Sequence, residues 1–315
     1  MRLTIAIALL APLTACASAG NAIASANSSG ALSSGYRIVA PATVTEVSTS
    51  RMLERLSRAD VVFFGEQHDD AETHRAEAEL LEAIGRGGRP VILSLEMFER
   101  DVQPVLDDYL GGRITESDFL ARTRPWDRYA TDYRRLIELA KKNHWPVVAA
   151  NVPRPLASAI GRKGLAALDT LSVTERRTAA REHDCPRDDY HARFMESMQS
   201  HSAGGASGPQ ASDSLPTAMA ERFYLAQCIK DETMAESIVD ARLAAAPSAI
   251  VVHYDGAFHS DYAQGTVARV KRRQPGWDLV VLSAVPVTDP VVPPIATQSG
   301  KADFVIFTRR NPRRS

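Results

Sequence analysis

The chain alternates short, almost unbroken apolar runs with longer segments whose apolar residues recur every three or four positions. The runs are 61–64, 90–96, 146–151, 248–254, 278–282 and 303–307. They are rich in β-branched and aromatic residues, which predicts strands buried on both faces of a parallel sheet. Between them, 71–84 is acidic, alanine-rich and helical. The segment 129–144 sets Tyr133, Leu136, Ile137 and Ala140 at the spacing of an amphipathic helix. The alternation predicts an α/β fold with a mainly parallel sheet flanked by helices. From 155 to 246 the rhythm breaks. No strand is predicted there, and successive helices form an insertion large enough to make a lid over the strand ends. Its Gly/Ser/Pro-rich stretch 202–216 reads as a mobile loop.

The beginning of the chain belongs to no such element. A positive start at Met1-Arg2, an apolar run from Leu3 to Leu13 and the lipobox-like Leu13-Thr14-Ala15-Cys16 predict a lipoprotein signal peptide over 1–15. Cys16 is then the lipidation site, and 16–35, small and polar, is a flexible tether. Residues 36–315 are left as a single domain. Ala17 after the cysteine points to a lipid-anchored protein of the cell envelope, at the outer membrane and facing the periplasm. Lys plus Arg number 37 against 38 Asp plus Glu. That balance leaves no global cationic footprint for nucleic acid, and none is expected as a partner. Arg309, Arg310, Arg313 and Arg314 near the end read as a solvated tail. Cys185 and Cys228 are either a disulfide, as an oxidising compartment favours, or two isolated buried thiols.

The candidate chemistry lies at strand ends. Two distant runs finish alike, in Gly65-Glu66-Gln67-His68 and Gly256-Ala257-Phe258-His259. Their glycines are expected to permit a sharp exit from strand to loop. Glu96 and Asn151 end two other runs, His253 precedes the second motif, and His74 follows His68 by six positions. Parallel sheets bind ligands beyond the carboxyl ends of their strands. Imidazoles and carboxylates converging there suit a divalent metal, with Glu66, His68 and His259 as ligands, or a protonatable pair. The competing reading makes them capping and turn residues, and makes His253 a core histidine.

Gly65–Asp70, Ser94–Phe98, Ala150–Arg154 and Ala226–Ala235 resemble the ChaN family of haem-binding bacterial lipoproteins, in spacing that runs from about residue 36 to 288. That family is similar to the Tiki, TraB and erythromycin-esterase-like proteins, where paired Gly-x-x-His motifs and glutamates line one site. The resemblance implies an α/β domain with a helical lid, a haem-binding role in iron uptake without turnover, and homodimers holding haems face to face. In the Tiki branch it implies instead a metal-dependent peptidase, with Glu66, His68, Glu96 and His259 as the catalytic set. No Cys-x-x-Cys-His is present, so haem would be held non-covalently, by histidine, tyrosine or methionine. His68, His74, His253 and His259 are candidates at the strand ends. Tyr129 and Tyr133 are others, beside Trp126 and Arg122, Arg124 and Arg128, where ordinary packing is the alternative. His191, Met195, Met198 and His201 share a helix face, as ligands or as a Met-lined core stripe with exposed histidines. Lys230-Asp231 reads as a polar couple docking its helix onto the strand ends.

Overall fold

The computed structural model describes residues 35–204 and 216–310. The expected signal peptide, Cys16 and nearly all of the tether lie outside the described residues, as do 205–215 of the expected loop and the tail arginines Arg313 and Arg314. The chain opens with a hairpin of β1 (Arg37–Ala40) and β2 (Thr45–Glu46), then α1 (Thr49–Leu56), β3 (Val61–Glu66) and α2 (Ala71–Gly85). Next come β4 (Val91–Glu99), α3 (Gln103–Leu110), α4 (Glu116–Thr123), a π turn at Tyr129–Tyr133, α5 (Arg134–Asn143) and β5 (Val147–Asn151). The insertion supplies α6 (Arg154–Lys163), α7 (Val173–Arg176), α8 (Asp189–Gly204) and α9 (Thr217–Ala244). The chain then closes with β6 (Ile250–Gly256), α10 (Gly265–Arg273), β7 (Leu279–Val287) and β8 (Phe304–Arg309).

The eight strands form one sheet in the order β2-β1-β8-β7-β3-β6-β4-β5. From β8 to β5 every neighbouring pair is parallel, and the β1–β2 hairpin lies antiparallel on the β8 edge. The sequence pattern missed that hairpin, because four residues of strand beside two of another give no period to detect. The chain returns from β5 across the sheet to place β6 between β3 and β4. This crossover makes the two Gly-x-x-His stretches neighbours: Gly65 pairs with Asp255 and Glu66 with Gly256.

Strand alternation then sorts side chains to two faces. Val62, Phe64, Leu93, Leu95, Val252 and Tyr254 enter the core under α2 and α5. Val61, Phe63, Ile92 and Val251 face the other way, toward Ala235, Ile238 and Val239 of α9 and Val267 and Val270 of α10. Each such fully buried aliphatic or aromatic side chain contributes roughly 1.5–3 kcal/mol. On α2, Asp70 caps the helix by accepting from the Thr73 amide, and Ala76, Leu80, Leu81 and Ile84 fall on its buried side.

The insertion divides in its function. The second half of α9 is a crossover layer of the sheet rather than part of a lid, and its first half runs on past the strand ends, where Gln227 and Asp231 meet His259. Cys185, in the segment before α8, is joined to Cys228 of α9, with Cα atoms 5.7 Å apart. Among the described residues no helix is long and apolar enough to cross a membrane.

Candidate functional site

The same alternation that sorts the core sorts the polar residues at the strand tips. Glu66 continues the face of Val62 and Phe64, toward α2. Glu96 continues the face of Ile92 and Ser94, toward α9. Two buried polar networks result, one on each side of the sheet, meeting at His68.

On the α2 side, Glu66 Oε1 lies 2.5 Å from His68 Nδ1 and accepts from the Tyr133 hydroxyl at 2.7 Å. His74 Nδ1 is 2.9 Å from Glu77 Oε2 and 3.7 Å from Glu66 Oε2. The other His74 nitrogen is 3.4 Å from Asp132 Oδ2 and 3.2 Å from the His68 carbonyl. Burial pushes the Glu66 carboxyl well above its usual range, and the neighbouring Glu77 adds to this. Burial likewise pushes Glu77 up to about 8. Burial thus favours the neutral form of both carboxyls.

On the α9 side, His259 sits between two carboxylates: Nδ1 is 2.6 Å from Asp231 Oδ1 and Nε2 is 3.3 Å from Glu96 Oε1. Asp231 also accepts from the Tyr190 and Thr266 hydroxyls. Burial opposes the charge on His259, but Glu96 and Asp231 overcome it and push the ring up to about 10. Burial opposes ionisation of Glu96 as well, and His259 outweighs it, holding that carboxyl far below its usual range. Both ring nitrogens of His259 thus face carboxylate oxygens, which favour its charged form. His253 is fully buried, with Nδ1 2.8 Å from Ser94 Oγ, its ring edge-on to Phe63, and burial pulls it down to about 3.

The glycines explain why the motif occurs twice. Neither Gly65 nor Gly256 adopts positive φ, so the expected need for a special backbone conformation is not their role. A Cβ on Gly65 would stand 2.8 Å from Ala257 Cα, in the second stretch, and 2.8 Å from Ser260 Oγ, just after it. A Cβ on Gly256 would stand 2.7 Å from His68 Nε2, of the first, with Glu96 Oε2 at 3.7 Å. Glu96 Oε2 is held there by the Gly256 amide at 2.8 Å. Each glycine clears space for the other motif, and the interlock brings His68 up to Glu96.

His68 is the exposed member of the site, its side chain 45% accessible. It lines an open cleft of about 540 Å³ with Trp126, Arg128, Tyr133, Arg154 and Asp132. The His68 ring packs edge-on against Trp126, and the Arg154 guanidinium lies over the Trp126 ring. Of the sequence candidates, the cleft gathers His68 and Tyr133, with His74 just beneath. Tyr129 packs against Phe98 and Phe119 in the core. His191 pairs with Glu221, and Met195 and Met198 pack with Tyr190, Phe194 and Tyr224 in a separate cluster. Arg124 is committed to Glu99 and Asp101, away from the tyrosines.

Sequence reasoning missed Glu77, Asp132 and the role of Asp231. The signal for Glu77 was its spacing, three residues after His74 on the face that carries Leu80 and Leu81.

Residues 52–270 match the family model described as haem-binding uptake, Tiki superfamily, ChaN. Among solved structures, the fold is similar to ChaN of Campylobacter jejuni, described as binding haem cofacially. That match has a TM-score of 0.65 and 15% identity, covering 88% of this chain and 98% of that one. Weaker similarity joins it to an erythromycin esterase mutant in its open conformation, with a TM-score of 0.42 and 12% identity, covering 83% of this chain and 79% of that one. A Bacillus cereus protein matches with a TM-score of 0.46 and 10% identity, covering 84% of this chain and 92% of that one. No curated protein sequence matches the chain.

Proposed function

The chain belongs to the ChaN family of haem-binding uptake proteins in the Tiki superfamily, and from that membership we propose that it binds haem in the cleft beside His68 and serves haem uptake without turnover. The observation that carries the placement is the lining of that cleft. Trp126 supplies an aromatic wall, Arg128 and Arg154 supply guanidinium groups for the two propionates, and His68 supplies a donor for iron. The volume, about 540 Å³, lies within the range of cofactor pockets. His68 has its Nδ1 held by Glu66 Oε1 while Nε2 makes no hydrogen bond, an outer contact of the kind that orients a ligating imidazole. Tyr133, by contrast, has its hydroxyl engaged with Glu66 and its proton firmly held by burial. When bound, haem would supply the iron; the chain's own residues shape the wall, neutralise the propionates and present the imidazole.

The test is a haemin titration of the full chain in mild detergent, followed by its Soret band and by size-exclusion chromatography for a haem-linked dimer. His68→Ala should weaken binding at least tenfold and shift the band, and Arg154→Ala should weaken it without shifting the band. A His68→Ala variant with the wild-type spectrum, alongside a Tyr133→Phe variant that loses it, would move the iron ligand to Tyr133. Saturable binding unaffected by all three changes would remove haem from this cleft.

The lipobox-like Leu13–Cys16 supports the same setting, a protein tethered through acylated Cys16 at the outer membrane. Cys16→Ser should shift the protein from the membrane to the soluble fraction, since a triacylated terminus anchors where a bare one does not. An unacylated wild-type terminus by mass spectrometry would rule the anchor out.

A further inference from the structure

We propose that Glu66, His74 and Glu77 form a site for one first-row divalent cation on the α2 face of the sheet, beneath the haem cleft and separate from it. One donor atom from each residue lies within 4.8 Å of the other two. One imidazole and two carboxylates suit Mn²⁺, Fe²⁺ or Zn²⁺.

Proximity of acids alone would not make a site, and the stronger observation is the state of their oxygens. Glu66 Oε2 and Glu77 Oε1 are buried without any hydrogen-bond partner, in residues 1% and 0% exposed. Buried polar atoms are almost always paired, and buried carboxylates are paired or coordinate metals. The unpaired Glu66 oxygen faces His74 Nδ1 at 3.7 Å, and Glu77 Oε2 approaches that nitrogen from its own side at 2.9 Å.

The surroundings hold the donors in place. Tyr133 and His68 fix the other oxygen of Glu66. On the far side of the imidazole, Asp132 Oδ2 and the His68 carbonyl approach His74 Nε2, the carboxylate–histidine support found behind metal ligands. That support directs Nδ1 toward the two glutamates. The π turn carrying Asp132 and Tyr133 is what brings both groups to the same place, as π turns often do at functional sites. A second cleft of about 380 Å³, lined by Ala71, His74, Thr131, Asp132 and Arg135, lies on the Asp132 side of the ring.

The experiment titrates chelator-treated, haem-free full chain with Mn²⁺ and with Zn²⁺ by calorimetry, and with Co²⁺ by visible absorption. One equivalent should bind, and Glu77→Gln and His74→Gln should each weaken it at least tenfold. His74→Gln should also alter the Co²⁺ spectrum, which a purely structural role would not do. Glu77→Gln removes a buried ionisable group for a neutral amide of the same shape, so it should fold as the wild type does, and its thermal melt without metal checks this. No stoichiometric uptake, or uptake unchanged in both variants, overturns the site and leaves a shared proton between the glutamates. Haem binding is read separately: Arg154→Ala should weaken haem but not the cation, so failure of either proposal is visible without the other.

Discussion

Gly65→Ala should destabilise the protein by about 3 kcal/mol or more, while Gly256→Ala should leave it folded and damage ligand binding. The two glycines occupy equivalent positions in the two motifs, yet what surrounds them differs. At Gly65 the new methyl would meet backbone, Ala257 Cα at 2.8 Å. Relief requires the β3 and β6 tips to separate, and their pairing at Gly65–Asp255 and Glu66–Gly256 resists that. For a domain of this size a loss of 3 kcal/mol lowers Tm by roughly 5 °C. At Gly256 the methyl would meet the far end of a half-exposed side chain, His68 Nε2 at 2.7 Å and Cε1 at 3.0 Å. His68 can swing away, at the cost of its bond to Glu66 and its packing on Trp126. Thermal melts and haemin titrations of the two variants are the check. Equal Tm losses in both, or unchanged haem affinity in Gly256→Ala, would show that the interlock does not govern the site.

Stability should fall as pH rises from about 6.5 to 10, by on the order of 4 kcal/mol, because of His259 alone. The ring is pushed up from its ordinary value near 6.5 to about 10 in the folded protein. A raised pKa means the folded state holds the proton more tightly. Its contribution is therefore complete below pH 6.5 and is lost as pH climbs through 10. The groups facing the ring define the window. Glu96 approaches from β4, Asp231 and Gln227 from α9, and His68 and Asp255 act from the strand tips; Tyr190 and Arg269 act through Asp231. His259→Gln should cost about 3–5 kcal/mol at pH 6, where it leaves two buried carboxylates without their cation, and much less at pH 10. Denaturant unfolding at pH 6, 8 and 10 measures this, and a wild-type curve that stays flat or rises with pH would refute it.

The strands and the convergence of the two motifs were readable from residues. Continuous β-branched runs such as Val61–Phe64 and Ile250–Tyr254 are long enough to carry their own signal. Less readable was which face each tip residue takes. That depends on register, and one residue of slip would exchange the networks of Glu66 and Glu96. The two histidines look alike in sequence and separate in the structure: His68 is exposed beside an open cleft, whereas His259 is locked between carboxylates. Asp231 lies mid-helix beside Lys230, and that pair reads as docking its helix onto the strand ends without showing which residue it meets there. Only the long helix that carries it past the sheet shows that it is the second anchor of His259. Glu77 is one acid among several on α2, and only its spacing from His74, on the face that proves buried, sets it apart.

That long helix has a mechanical consequence. The 28 residues of α9 form one rod about 42 Å long. Its rear is wedged into the apolar layer by Ile238 and Val239, and its front carries Asp231, some 10–12 Å further along the axis. Three residues ahead of Asp231, Cys228 is tied to Cys185, and the Tyr190 and Thr266 hydroxyls bond Asp231 itself, so the Asp231–His259 contact is clamped from both directions along the rod.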